Sequence, residues 1–322
     1  MRVGRTTSRR RPAQEEWANC FRFVRWGPGM RIGSRLLTQC LVNLLFATSL
    51  FAATVDGIPL HSSTRGRGTT TLILVHGWTC DDRTWQSQVP ELSRSYRVIT
   101  LDLPGHGRSG SPKDGKLSMD LFARAIEAVR EEQRAERVVL AGHSMGTAAI
   151  MQYARLYPEH TVALVLVEAS VSMPASAPRD RMLAAAKQYG ESVKAREAMV
   201  QAMFSASTTQ SVRKQVLAMV QAVPPATPLA AMEAFVDPGN WKEDVFPQPV
   251  LAVFAESLDA ADRESDLEYM RIRFPNLEYV KMAGTGHFLM LEKPAQFNAL
   301  LESFVDRWTS TSGRPIRTRP SS

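Results

Sequence analysis

The sequence predicts an α/β fold, a mostly parallel sheet with helices on both faces, and three observations carry that prediction. From Thr54 onward, short β-branched runs alternate with stretches of helical periodicity, the sequence form of βαβ units. The alternation breaks between about Val171 and Asp244, where helical segments follow one another without a convincing strand. At 322 residues and 44% hydrophobic composition, the chain can bury a large core as a single domain.

Taken in order, strands are expected at Thr71 to Val75, Arg97 to Leu101, Val138 to Ala141, Val162 to Val167, Val250 to Ala255 and Leu277 to Met282. The longest helix is expected over Ser118 to Glu136, with Met119, Phe122, Ile126 and Val129 on one stripe. A closing amphipathic helix spans Pro294 to Trp308, its Phe297, Leu301, Phe304, Val305 and Trp308 repeating at helical spacing as packing residues. Within 171–244, helices are expected at 179–189, 192–204, 211–223 and 228–235, punctuated by Gly190, Pro224-Pro225 and Pro238-Gly239. A helical insertion over the carboxyl edge of a parallel sheet lies where such sheets bind ligands, so 171–244 is expected to form a cap between core segments 54–170 and 245–309. Its Met182, Met199, Met203, Met219 and Met232 either line an adaptable apolar pocket or fill ordinary core.

The ends carry a different message. Leu36 to Ala53 is a mainly apolar run preceded by Arg31 and Arg35, which reads as a signal peptide and implies export to the periplasm or medium. The same run also reads as an uncleaved membrane anchor, since about 18 apolar residues just suffice to span; if it is neither, the protein is cytoplasmic. Residues 1–53 are therefore set apart as a leader and 310–322 as a disordered tail. The formal charge of +7 concentrates in arginines at both ends, so no nucleic-acid partner is expected. Cysteines stand only at positions 20, 40 and 80, too few for a disulfide framework. Without CxxC or HExxH, neither a metal nor another cofactor is expected.

Gly142-His143-Ser144-Met145-Gly146 is a G-x-S-x-G pentapeptide between a strand and a helical run, the setting in which the glycines permit a sharp turn that exposes the serine Oγ. Ser144 is the expected nucleophile. Thr71 to Val75 runs straight into His76-Gly77-Trp78, so the backbone N–H groups of Trp78 and Met145 are the expected donors to a developing oxyanion. His76 is expected to hold its loop by hydrogen bonds. Next comes Asp102-Leu103-Pro104-Gly105-His106-Gly107-Arg108-Ser109. These three blocks together resemble the α/β-hydrolase family of HGW, DxPGHGxS and GHSMG type, over about residues 57 to 309. The resemblance implies an α/β-hydrolase sheet, with Asp102, His106 and Arg108 organising loops near the site.

His287, in Gly284-Thr285-Gly286-His287-Phe288, resembles the family's catalytic histidine before the final helix, and it is the last histidine in the chain. The acid departs from the family pattern. After Val250 to Ala255 the family's aspartate is expected one position earlier than Asp259, while Glu168, after the preceding strand, could reach the same imidazole and Glu256 follows its strand very closely. Asp259 is the first candidate and Glu168 the alternative. The function implied is a serine hydrolase that cleaves a small-molecule carboxylic ester through an acyl-enzyme. Lactone or carbon–carbon bond hydrolysis on the same scaffold, and non-catalytic ligand binding as a receptor, are the alternatives. Trp78, Cys80 and Trp85 are expected to border the pocket and favour small or aromatic acyl groups. The sequence does not speak to oligomeric state.

Overall fold

The computed structural model describes residues 53–169, 179–256 and 260–309. The apolar run at 36–53, apart from its last residue, lies outside that range, as do Asp259 and the 310–322 tail. Among the described residues, no helix is long and apolar enough to cross a membrane.

The chain enters through a small hairpin, β1 (Thr54–Val55) and β2 (Ile58–Pro59). Its two-residue turn is Asp56-Gly57, both at positive φ (50° and 77°), the geometry that matches the twist of paired strands. Then follow β3 (Ser62–Arg65), β4 (Thr71–Val75), β5 (Arg97–Leu101), β6 (Val138–His143), β7 (Thr161–Val167), β8 (Val250–Ala255) and β9 (Leu277–Met282). These seven form one sheet in the order β3-β5-β4-β6-β7-β8-β9, parallel throughout except for β3 against β5. Strands covered on both faces read as unbroken apolar runs, which is why β4 and β8 are buried at every position.

Side chains leave successive residues of a strand on opposite faces. Ile73 and Val75 of β4 therefore join one core cluster, with residues of α2 (Met119–Glu132) and α3 (Met145–Leu156). Leu72 and Leu74 join another, with Trp85, Leu92 of α1 (Val89–Leu92), and Phe297 and Phe304 of the C-terminal helix. Each such fully buried aliphatic or aromatic side chain contributes about 1.5–3 kcal/mol. Helix α2 begins where Ser118 accepts the Leu121 N–H on its side chain, and it buries Met119, Phe122, Ile126 and Val129. It ends at Glu132, short of the expected Glu136, because Arg134 turns left-handed at φ 52°.

Among the described residues between β7 and β8 the chain makes the α-helices α4 (Arg179–Glu191), α5 (Val193–Ala202), α6 (Gln210–Ala222) and α7 (Thr227–Phe235). After β8 come α8 (Ala260–Arg273), α9 (Leu289–Glu292) and α10 (Pro294–Thr309). Helix α10 buries Phe297, Leu301, Phe304 and Val305, but Trp308 does not join that core. It is 42% exposed, and its indole N–H reaches Glu278 on the edge strand β9.

The chain runs outward from β4 to β5 and then returns to place β6 on β4's other side, so the direction of winding reverses at β4/β6. Loops leaving the carboxyl ends of those two strands diverge there and open a crevice. His76 to Trp78 and Ser144 are the residues that leave them.

Candidate active site

Ser144 sits between the end of β6 and the start of α3 at φ 53°, ψ −121°, a conformation that costs a non-glycine residue of order 1–3 kcal/mol. The turn is held by hydrogen bonds: the Ser144 N–H donates to Val167 O (2.8 Å), and both the N–H and hydroxyl of Thr147 donate to Ser144 O (2.9 and 2.6 Å). Its glycines are required by contact. A Cβ on Gly146 would lie 2.5 Å from His76 O and 2.7 Å from Val75 O, and one on Gly142 would lie 2.6 Å from Gly146 O. Met145 opens α3, so its N–H has no acceptor within the helix.

His287 follows β9, and its Nδ1 lies 3.2 Å from Glu168 Oε2. Glu168 stands just past β7 at φ 52°, with a side chain only 1% exposed. Its other carboxylate oxygen accepts the Ala255 N–H at 2.5 Å, while its own N–H donates to Val253 O. A residue on one strand end is thus fixed by the neighbouring strand and aimed at the imidazole. Glu256 is exposed, and Asp259 lies outside the described residues. Ser144, His287, Trp78 and Cys80 line one cavity of about 30 Å³, closed by Val200 and Val220. Trp85 is not among its walls. It is fully buried against Phe297, where the 3₁₀ turn Asp82–Trp85 carries it into the core. The Cys80 thiol, pushed up to about 12 by burial, stays protonated.

The remaining polar residues brace the loops. His76 donates from Nδ1 to Gly77 O and accepts the Leu103 N–H on Nε2, using both ring nitrogens structurally. Asp102 accepts the N–H groups of Asp82 and Arg108, and its carboxylate occupies the space a Cβ on Gly107 would need, at 2.3 Å. Asp81, Asp82 and Asp102 lie close enough together to suggest a cation, but Arg83 and Arg108 already pair with the first two. His143 reaches back to His287: its Nε2 lies 2.8 Å from His287 O, and since a carbonyl only accepts, Nε2 carries the hydrogen. Burial, and then the neighbouring His287, hold His143 well below the usual histidine range.

Burial acts the same way on His106, whose pKa it lowers from 6.5 to about 3. Between those values the unfolded chain binds a proton that the folded chain refuses, so stability present at neutral pH is lost as the pH falls through that window. His106 alone should remove about 2–3 kcal/mol between pH 7 and pH 4.5. Urea midpoints at those two pH values test this, and an unchanged midpoint would count against it.

The α4–α7 insertion is tied to these loops at several points. The Trp78 indole N–H donates to Pro228 O and the Thr227 hydroxyl to Gly105 O. The turn after α5 meets the histidine loop directly: the His287 N–H donates to Met203 O, Ser207 to Gly284 O, and Ser205 to Glu292. Glu292 also accepts the Gly286 N–H, and a Cβ on Gly286 would lie 2.6 Å from Met203 O. Sequence reasoning found neither this seam nor the His143 bond, because both join segments remote in the chain. Met199 and Met203 line the small cavity, whereas Met219 is buried against Thr84.

The model of the alpha/beta hydrolase family matches residues 72–300. The chain belongs to this family. The matched span includes the elbow at Ser144, Glu168 and His287 of this alpha/beta hydrolase. Among curated relatives, it is 28% identical over 250 residues to a pimeloyl-[acyl-carrier protein] methyl ester esterase of Aeromonas hydrophila subsp. hydrophila, covering 73% of this chain and 94% of that one. A thermophilic esterase from Thermogutta terrifontis has the same fold, with a TM-score of 0.72 at 22% identity, covering 80% of this chain and 97% of the other. An enzyme described as degrading N-acyl homoserine lactones aligns with a TM-score of 0.65 at 24% identity, over 79% of this chain and 99% of its own.

Proposed function

We propose that this alpha/beta hydrolase cleaves carboxylic esters through an acyl-enzyme on Ser144, with His287 as general base and acid and Glu168 as the residue that positions it. The observation that carries the reading is the Glu168–His287 contact beside the cavity that both Ser144 and His287 line. The ester-cleaving activity of the Aeromonas hydrophila relative points to the same chemistry.

In this reading Ser144 Oγ attacks the ester carbonyl carbon while His287 Nε2 takes the hydroxyl proton. The tetrahedral oxyanion lies between the N–H groups of Trp78 and Met145. Collapse breaks the carbon–oxygen bond, and the alcohol leaves with the proton from His287. Water, deprotonated by the same imidazole, then attacks the acyl-enzyme, releasing the carboxylic acid and restoring Ser144. Glu168 accepts the Nδ1 hydrogen throughout, which keeps Nε2 free to receive a proton. The α4–α7 insertion acts as a cap that excludes bulk water from these steps.

A fluorophosphonate probe tests the assignment together with p-nitrophenyl acetate. The expected results are one phosphonyl group per chain, mapped to Ser144, and ester turnover lost on labelling. A folded protein that neither labels nor turns over ester would sink the hydrolytic reading in favour of ligand binding.

A further inference from the structure

Two spaces of very different size meet at His287. The inner one, about 30 Å³, lies beside Ser144 and is closed by Val200 and Val220, which are 2% and 0% exposed. That is room for about two water-sized groups, since one needs roughly 10–15 Å³ of such space. The outer one is an open groove of about 690 Å³ bordered by His287, the post-α5 turn, Gly284 and Thr285. Ala202, Met203, Phe204 and Ala206 give it an apolar wall. Its serines add little free polarity, because Ser205 and Ser207 already donate to Glu292 and Gly284 O.

Serine-hydrolase chemistry assigns these spaces different occupants. The histidine that takes the serine proton must deliver it to the departing oxygen, so the leaving alcohol lies on the histidine side. The acyl group stays bonded to the serine and lies on the inner side. From this asymmetry we infer that the preferred substrates are esters of a short acid, acetic or propionic, with a longer apolar alcohol that lies along the 202–207 groove. The inference rests on the ester-hydrolysis reading of Ser144 and His287, and adds the substrate class.

The test uses the full chain and two ester series followed by acid release. One varies the alcohol (methyl, butyl and octyl acetate) and the other the acid (methyl acetate, butyrate and octanoate). Along the alcohol series kcat/KM should hold or rise. Along the acid series it should fall about tenfold or more by butyrate, the cost of forcing extra methylenes into a closed pocket. Val220→Ala, which enlarges the inner space, should raise the butyrate-to-acetate ratio about tenfold. Ala206→Trp adds bulk at an exposed position on the groove wall, where folding is not at stake, and should lower the octyl-to-methyl acetate ratio about tenfold. Methyl octanoate outpacing octyl acetate, or an octyl-to-methyl ratio unmoved by Ala206→Trp, overturns this inference and leaves the ester reading standing. Failure of every ester in both series overturns the ester reading and this inference with it.

Discussion

Ser144→Ala should lower kcat on p-nitrophenyl acetate by about 10⁶-fold while leaving the protein as stable as before. The two halves of that expectation have separate causes. Chemistry is lost because neither other nucleophilic side chain of the inner cavity is activated: the Cys80 thiol stays protonated and no base pairs with the Thr79 hydroxyl. Stability is kept because the Ser144 side chain makes no capping hydrogen bond, although it occupies the N-cap position of α3. The turn is held instead by backbone bonds to Val167 and from Thr147, which alanine retains. A residual rate of about 10³–10⁴ over uncatalysed hydrolysis should persist from the oxyanion donors and substrate binding. Steady-state kinetics and thermal unfolding on the same preparation check both halves. A variant that retains turnover would exclude Ser144 as nucleophile.

Glu168→Gln should cost about 10⁴-fold in kcat with little change in KM. The carboxylate now serves two donors, Ala255 N–H on one oxygen and His287 Nδ1 on the other. Glutamine has a single acceptor oxygen, and if Ala255 N–H keeps it, the amide NH₂ faces Nδ1. The imidazole must then present a bare Nδ1 and carry its hydrogen on Nε2, the tautomer that cannot accept the serine proton. Asp259→Asn, by comparison, should stay within about threefold of the parent, because Glu168 already takes His287 Nδ1. The opposite ranking of the two variants would transfer the positioning role to Asp259. A pH–rate profile separates misplacement of His287 from general loss of structure, because only the former moves the profile.

The strands that frame the site were legible because burial on both faces leaves an unambiguous mark: β4 to β8 lie at or within a residue or two of the apolar runs that announce them. The segments that escaped are those with little burial. β3 is a mostly exposed antiparallel edge, and β1 and β2 have two residues each, although Asp56-Gly57 is a recognisable hairpin turn. Ser144 was readable because its turn is local, a strand, two glycines and a helix start within a few residues. The partner of His287 was not, because it depends on how far β7 extends beside β8 before the chain departs, a matter of register between strands 87 residues apart at Glu168 and Ala255. Proximity in sequence to the oxyanion strand also misplaced Trp85, which one short 3₁₀ turn carries away from the cavity and into the core against Phe297.

The seam between the post-α5 turn and the histidine loop limits how this protein can be recombined. Insertions between β7 and β8 look like exchangeable modules, free to vary in length and sequence as long as their ends meet. Here the His287 N–H has its acceptor on Met203, and Gly286 is pressed against the same carbonyl. A transplanted insertion would have to supply a carbonyl at that point, or leave an orphaned donor beside the imidazole. Residues 203–207 and 284–292 therefore form one heritable unit, divided by about eighty residues of chain, and a chimera that respects only the domain boundary will break it.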